Sequence, residues 1–275
     1  MKKLKPSGEL VSINNYKIHI YRTGKKDAPK ILFMSGHCTI APVYDFKILY
    51  EKLLNNFNVI VVEKYGYGYS DIYDSPCDID TLVLLQRQAL VELGETGPYI
   101  LAPHSASGIE AIRWKQMFSN DVLAIIGIDM ATPLSFSVWK EEDIKKVTRF
   151  MKTLRRLKLA SVLTTVSNLC LTEEEFKQHK LLKKRNAFNI CCINEAKEVL
   201  NNARIVGETG NIECPTLLFL SNGKDQEIDW VLNQQKFAEI MKAKLITYDC
   251  GHYIHHFKSE DMCKEIIEFV NLLNI

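Results

Sequence analysis

The chain has 275 residues, of which 47% are hydrophobic and 25% charged, and its formal net charge at pH 7 is +2. This length allows one large domain, or a core domain with an inserted subdomain. The composition is that of a globular protein and excludes disordered and collagen-like chains. The small net charge and the lack of any nucleic-acid-binding motif argue against a nucleic-acid partner.

The cysteines and the N-terminal segment bear on the cellular compartment. Eight cysteines are scattered along the chain without a Cys-x-x-Cys pair, so their spacing does not predict a zinc site. The N-terminal segment is basic, but the apolar stretch of a signal peptide does not follow it. No uninterrupted apolar run reaches the roughly 18 residues needed to span a membrane. We therefore expect a reduced, cytoplasmic protein.

Short apolar segments alternate with amphipathic segments along most of the chain. Residues 9–22 alternate polar and apolar side chains, which predicts a two-stranded hairpin. Six further strands are predicted at 31–34, 59–62, 99–101, 124–128, 216–220 and 245–248. Helices are predicted at 43–55, 80–93, 106–118 and 259–273. This α/β pattern indicates a mostly parallel sheet covered on both faces, with functional loops at the carboxyl ends of its strands.

One segment interrupts the alternation. From about 134 to 210 the pattern predicts helices and no strand. The helical signals lie around residues 144–154, in the more apolar stretch 159–171, and twice within 173–206. We interpret 134–210 as a helical cap inserted into a core domain formed by 1–133 and 211–275. Such caps cover a pocket and select what enters it.

The predicted cap is strongly basic. Residues 139–206 contain fifteen Lys and Arg but eight Asp and Glu, so the rest of the chain has a net charge of −5. One predicted helix has an apolar stripe on one side and basic residues on the other. The basic residues are Lys145, Lys146, Arg149, Lys152, Arg155 and Arg156. Two interpretations stay open. The helix is either the solvated outer face of a lid, or a surface that contacts an anionic membrane or attracts an anionic substrate.

Ser105 lies where a predicted strand turns sharply into a helix. A serine there can be held exposed at the tip of a strained turn, the nucleophile elbow, which needs small residues two positions before and after it. Pro103 and Ser107 occupy the positions where glycine is usual, and Gly108 follows one step later. The helix that follows points its N-terminal amides at the site, which favours a developing oxyanion. The alternative is an ordinary helix N-cap serine.

Asp225 and His252 follow two later strands, in the order Ser, Asp, His that a triad on this kind of sheet requires. A serine hydroxyl needs a neighbouring base to remove its proton, and His252 fits that role. Singly, Asp225 could form an Asx-turn and His252 could cap a helix. Asp129 ends another strand and is the alternative acid, but we favour Asp225 because its loop matches the usual acid loop better.

Five motifs occur in the same order along the chain as in the α/β-hydrolase fold superfamily, which the chain therefore resembles. In particular, the chain resembles capped bacterial serine hydrolases related to proline iminopeptidases and esterases. Residues 35–38 (Ser-Gly-His-Cys) match the oxyanion turn, with serine replacing its histidine, and 63–71 match the Asp-x-x-Gly-x-Gly-x-Ser loop. Residues 103–108 match the elbow, 223–225 the acid loop and 251–252 the base loop. The resemblance covers nearly the whole chain.

The resemblance implies an eight-stranded, mostly parallel sheet with a helical cap after the sixth strand. It also implies acyl transfer to water from an ester, thioester or amide, with a small-molecule acyl substrate and no cofactor or metal. His252 would take the proton of Ser105, Asp225 would hold His252 in the right tautomer, and an acyl-enzyme would form. Backbone amides of His37 and Ala106 would bind the oxyanion.

Other functions of the same fold are the alternatives. The same triad could hydrolyse a carbon–carbon bond or act as an aminopeptidase, or the fold could bind a small molecule without turnover. Serine at the elbow argues against dehalogenase and epoxide-hydrolase chemistry, which in this fold uses aspartate there. A lone Gly-x-Gly in residues 65–69 does not predict a nucleotide site. His252, His255 and His256 do not predict a metal site, because no acid or cysteine completes the set.

Overall fold

A computed structural model describes residues 3–167, 169–227 and 229–273. Its centre is a sheet of eight strands in the order β1-β2-β4-β3-β5-β6-β7-β8. The strands are β1 (Glu9–Ile13), β2 (Tyr16–Gly24), β3 (Lys30–Met34), β4 (Asn58–Glu63), β5 (Tyr99–Pro103), β6 (Val122–Ile128), β7 (Thr216–Leu220) and β8 (Lys244–Thr247). Strand β2 pairs antiparallel with β1 and β4, and all other pairs are parallel. The predicted mostly parallel sheet with an antiparallel hairpin at one edge is confirmed.

Ten helices accompany the sheet in the described residues. They are α1 (Pro42–Asp45), α2 (Lys47–Tyr50), α3 (Ile79–Glu92), α4 (Ser107–Met117), α5 (Glu141–Arg156), α6 (Ala160–Leu163), α7 (Glu173–Asn186), α8 (Ile190–Thr209), α9 (Trp230–Met241) and α10 (Ile254–Leu272). The predicted helix 43–55 is divided into the short helices α1 and α2. Helix α10 begins five residues before the predicted start at 259.

Helix α9 was not predicted. Two of its buried positions are polar, Asn233 and Gln234, so the apolar repeat that marks a helix in sequence is interrupted there. Both amides donate hydrogen bonds to backbone oxygens, that of Asn233 to Leu134 and that of Gln234 to Met130. Satisfied amides replace apolar contacts on the buried face of this helix.

The side chains of the strands alternate between two buried layers, as strand geometry requires. On one face, Leu32 and Leu101 pack in the same cluster as Trp114 of α4. On the other face, Phe33 and Phe219 pack with α2 and α10. The sheet is therefore covered on both sides, and its carboxyl edge is where loops can hold functional side chains.

Between β6 and β7 the described residues form helices and no strand. This segment contains the 3₁₀ turn Pro133–Phe136 and helices α5 to α8. Helix α8 contacts α5 within the segment, and also contacts α3 and α4 beside the sheet. The division into a core of 1–133 and 211–275 and a cap of 134–210 stays a prediction. Residues 1, 2, 168, 228, 274 and 275 lie outside the described residues.

Helix α5 has the predicted basic face. Its buried residues are Ile144, Thr148, Met151 and Leu154, and the basic side chains lie away from this stripe. Three acidic residues in its first turn and two arginines in its last turn complement the helix dipole. Among the described helices, none combines the length and apolar character needed to cross a membrane.

Candidate active site

Ser105 lies at a strained turn between β5 and α4. Its φ is +55°, a left-handed conformation that is uncommon for residues other than glycine and that clusters at functional sites. The carbonyl oxygen of Ser105 accepts hydrogen bonds from the backbone N–H of Ala131 at 2.7 Å and of Gly108 at 3.0 Å. These contacts hold the turn in the geometry of a nucleophile elbow.

The small residues after Ser105 explain how the turn tolerates its unusual sequence. The Ser107 side chain is buried, and its hydroxyl oxygen lies 2.7 Å from the Met34 carbonyl oxygen and 2.8 Å from that of His104. A Cβ atom on Gly108 would lie 2.1 Å from the Ala131 carbonyl oxygen. The start of α4 therefore lies against the backbone that follows β6 at position 108, where a side chain would clash and the chain has glycine.

His252 is oriented by a buried carboxylate. Its Nδ1 lies 2.6 Å from Oδ2 of Asp129, which is completely buried just beyond the end of β6. The other oxygen of Asp129 accepts hydrogen bonds from the backbone N–H of Ser221 at 2.9 Å and from Nε1 of Trp230 at 3.0 Å. Three hydrogen bonds fix this carboxylate, so it can hold the imidazole in one tautomer and orientation.

The prediction that Asp225 orients the imidazole does not match this geometry. Asp225 is exposed, and its Oδ2 accepts a hydrogen bond from the backbone N–H of His252 at 3.1 Å. Asp225 lies in the loop after β7, five residues beyond the end of that strand. This loop places its carboxylate beside the backbone of His252. Asp129, the alternative acid from β6, occupies the position beside Nδ1. Among the described residues, the Asp225 carboxylate thus bonds to the backbone of His252 and forms no hydrogen bond with its imidazole.

The predicted contact between the serine and the histidine is not formed. Among the described residues, no hydrogen bond joins the Ser105 hydroxyl to the His252 ring. His104, which precedes Ser105 in the chain, lies next to the histidine: its ring centroid is 4.6 Å from that of His252. Catalytic hydrogen bonds are often long without substrate and tighten in its complex.

The two predicted oxyanion donors lie beside Ser105. A Cβ atom on Gly36 would lie 2.6 Å from Cβ of Ser105, so the backbone before His37 touches the nucleophile. The backbone N–H groups of His37 and Ala106 donate to no acceptor in the described residues. The His37 ring is held by Cys192 of α8, whose carbonyl oxygen is 2.7 Å from Nε2. Two N–H groups are therefore available near the serine for a ligand oxygen.

Two cavities meet at His37. The narrow cavity, of about 210 Å³, is lined by Ser105 and Ala106 and by mostly apolar side chains that include Ile109, Phe136 and Trp139. The wide cavity, of about 650 Å³, contains His252 and Asp225. His37 lines both. The candidate nucleophile and the candidate base thus open into different spaces.

A buried ionic network lies in the wall of the narrow cavity and was not predicted. Nζ of Lys64 lies 2.6 Å from a carboxylate oxygen of Glu110 and 2.6 Å from one of Glu195. Burial raises the pKa of Glu110, although Lys64 opposes this change. Burial also opposes ionisation of Glu195, but Lys64 and His37 outweigh it and lower the pKa of that carboxyl. The network links β4, the helix after Ser105, and α8.

The Gly-x-Gly loop after β4 wraps around a buried carboxylate. Glu63 accepts hydrogen bonds from the backbone N–H of Tyr69 at 2.7 Å and of Val43 at 3.1 Å. Gly68 has a φ of +45°, and a Cβ atom there would overlap the Glu63 carboxylate. The glycine therefore permits a tight turn around Glu63.

Asp45 supplies an acid that the sequence did not place beside His255 and His256. Its carboxylate lies 3.1 Å from Nε2 of each ring, and the candidate ligand atoms of the three residues lie within 4.8 Å of one another. Burial opposes ionisation of Asp45, but the two histidines hold its pKa well below the ordinary value. These contacts join α10 to α1.

Comparisons with known proteins agree with this architecture. No protein-family model matches the chain. The uncharacterized protein YbdG of Bacillus subtilis (strain 168) is 28% identical over 283 residues, which cover 97% of this chain and 86% of the relative. The similar solved structures have lower sequence identity, but their names state an activity.

Three similar structures are hydrolytic enzymes by name. The haloalkane dehalogenase DbeA from Bradyrhizobium elkani USDA94 has a TM-score of 0.70 at 15% identity, covering 97% of this chain and 98% of that one. The enol-lactonase from Burkholderia xenovorans LB400 has a TM-score of 0.69 at 15% identity, covering 96% and 100%. A structure from a study of carboxylesterases of Nitrososphaera gargenis has a TM-score of 0.69 at 15% identity, covering 97% and 99%. The chain has the α/β-hydrolase fold, as its sequence predicted.

Proposed function

We propose that this protein is a serine hydrolase with Ser105 as nucleophile, His252 as general base and Asp129 as the acid that orients the histidine. One observation carries the proposal. A serine in a strained elbow lies beside two backbone N–H groups that have no acceptor in the described part of the chain, near a histidine held by a buried carboxylate. Nucleophile, oxyanion donors, base and orienting acid are the parts that acyl transfer requires.

The mechanism follows from the chemistry of these groups. Nε2 of His252 takes the hydroxyl proton as Ser105 attacks the substrate carbonyl, once bound substrate has brought hydroxyl and ring together. The N–H groups of His37 and Ala106 stabilise the tetrahedral oxyanion, each contributing roughly 3–4 kcal/mol in the transition state. His252 then gives its proton to the leaving group. A water molecule, activated in the same way, releases the acyl group from Ser105.

The two cavities suggest how a substrate lies in the site. His252 must reach the leaving group to protonate it, so the leaving group belongs in the wide cavity that contains His252. The acyl group then belongs in the narrow cavity beside Ser105. That cavity is smaller than the roughly 300–1,000 Å³ of typical sites for drug-sized ligands. We therefore infer a short, mostly apolar acyl group.

Ester hydrolysis is the reaction that we favour. Serine at the elbow supports acyl transfer over the dehalogenase chemistry named for some structural neighbours, which needs aspartate there. The enol-lactonase and carboxylesterase neighbours act on ester bonds by name. Carbon–carbon bond hydrolysis, aminopeptidase cleavage and binding without turnover are the alternatives that the same fold allows.

A substrate panel tests the proposal. We expect turnover of p-nitrophenyl esters with short acyl chains, and lower kcat/KM once the chain outgrows the narrow cavity. Aminoacyl arylamides are expected to be poor substrates, and Ser105→Ala should remove turnover of all of them. The exposed Ser119 provides a control, because Ser119→Ala should leave the profile unchanged. Preferential cleavage of arylamides would favour the aminopeptidase, and no turnover of any substrate would favour the binding module.

A further inference from the structure

An apolar segment is exposed between the end of α5 and the end of α6. All four of its large apolar side chains are exposed, with fractions of 59% for Leu157, 44% for Leu159, 70% for Val162 and 59% for Leu163. Ala160 is buried and anchors the segment. Single exposed apolar residues are ordinary on protein surfaces, whereas a contiguous group marks an interaction site.

Basic side chains lie on α7, which lines a groove with this segment, and on α5, which leads into it. One groove is lined by Val162 together with Lys180, Lys183 and Lys184 of α7. A second groove is lined by Lys152, Arg155 and Arg156 of α5. Within the described ranges, none of these six cations forms a salt bridge with a carboxylate; the ion pairs of this region use other residues. Residues 157–163 and the six cations are called the basic apolar face below.

The basic apolar face continues to the rim of the wide cavity. Leu163 lines that cavity, as do the exposed side chains of Phe257 and Tyr253. His252 lines the same space. A surface that covered the face would therefore also adjoin the opening that leads to the histidine.

We propose that the basic apolar face docks on an anionic phospholipid surface, with Leu157 and Val162 entering the interface. Apolar side chains beside cations that have no carboxylate partner in the described ranges are the combination by which amphipathic segments bind anionic membranes. Each cation near such a surface strengthens binding about fivefold. A second copy of the chain fits poorly, because two surfaces of the same charge would repel each other. This docking does not depend on the proposed catalysis.

Vesicle flotation tests the proposal with the whole 275-residue chain. Wild-type protein is expected to float with phosphatidylcholine vesicles that contain phosphatidylserine, and not with phosphatidylcholine alone. Added salt should weaken the binding because it screens surface charge. Lys183→Ala with Lys184→Ala should weaken it about 25-fold, at roughly fivefold per lysine. Leu157→Asp with Val162→Asp should reduce flotation to the level seen without phosphatidylserine.

The matched control is Val91→Asp, which changes an exposed valine on α3, outside the face. It should bind vesicles like the wild type, and thermal melting should show every variant folded. Equal binding to both kinds of vesicle, or wild-type binding by the Leu157→Asp, Val162→Asp variant, would overturn the proposal. So would a wild-type protein that binds neither vesicle, or one whose face is covered in a dimer that Val162→Asp dissociates. Ester turnover in solution is measured in parallel, so a failure of docking and a failure of the proposed hydrolase are distinguishable.

Discussion

The variant His252→Ala is expected to lower kcat for the best ester by about 10⁶-fold. Without the imidazole, the site loses the group proposed to accept the serine proton during attack and to return one to the leaving group. Losses of this size are known for single members of a triad. The KM should change little, because the narrow cavity that binds the acyl group is unchanged. Steady-state kinetics with thermal melting as a check of folding measures both effects.

The double variant Ser105→Ala, His252→Ala provides the control for a shared role. When two residues act as one catalytic unit, removing either one removes the contribution of both. The double variant should therefore be about as active as either single variant. If the loss of kcat in the double variant equalled the product of the two single losses, the two residues would act independently. A single His252→Ala variant that kept activity within about tenfold of the wild type would exclude the histidine as the base.

The variant Asp129→Asn is expected to lower kcat by about 10⁴-fold, whereas Asp225→Asn should stay within about tenfold of the wild type. An asparagine at 129 can still accept hydrogen bonds from Ser221 and Trp230 through its carbonyl oxygen. Its amide group would face Nδ1 of His252 and favour the wrong tautomer, as in other triads. Asp225 accepts a hydrogen bond from the backbone only, so its variant should change loop stability more than chemistry.

Each aspartate variant is the matched control for the other, because each replaces one carboxylate near His252 by an amide. The kcat values at several pH values should show the loss for Asp129→Asn across the whole range. A large loss for Asp225→Asn with little effect of Asp129→Asn would restore the acid that the sequence favoured. It would also mean that the loop moves when substrate binds.

Most of the sheet could be predicted from sequence because its central strands are short, buried on both faces and mostly separated by amphipathic helices. Strand β7 was predicted at its observed bounds, because 216–220 is a continuous apolar run between polar loops. The strained turn at Ser105 could also be predicted, since such a turn is a local feature of a strand that meets a helix. Helix α9 was missed because buried Asn233 and Gln234 interrupt its apolar repeat.

The acid partner could not be settled from sequence, because it depends on where two loops end in space. Motif matching favoured Asp225, but Asp129, one residue beyond the end of β6, lies next to the His252 ring. The network of Lys64, Glu110 and Glu195 was missed for the same reason, since its members are far apart in the chain. Glu110 gave one local signal: it is a charged residue five positions after Ser105, in a helix that packs against the sheet.

The most direct test of the central claim is the site at which a fluorophosphonate reacts. Intact-mass analysis should show one adduct per chain, and peptide mapping should place it on Ser105. Prior incubation with a short-chain ester should slow the labelling, and His252→Ala should suppress it. An adduct on another residue, or no adduct on a folded protein that hydrolyses esters, would contradict the account.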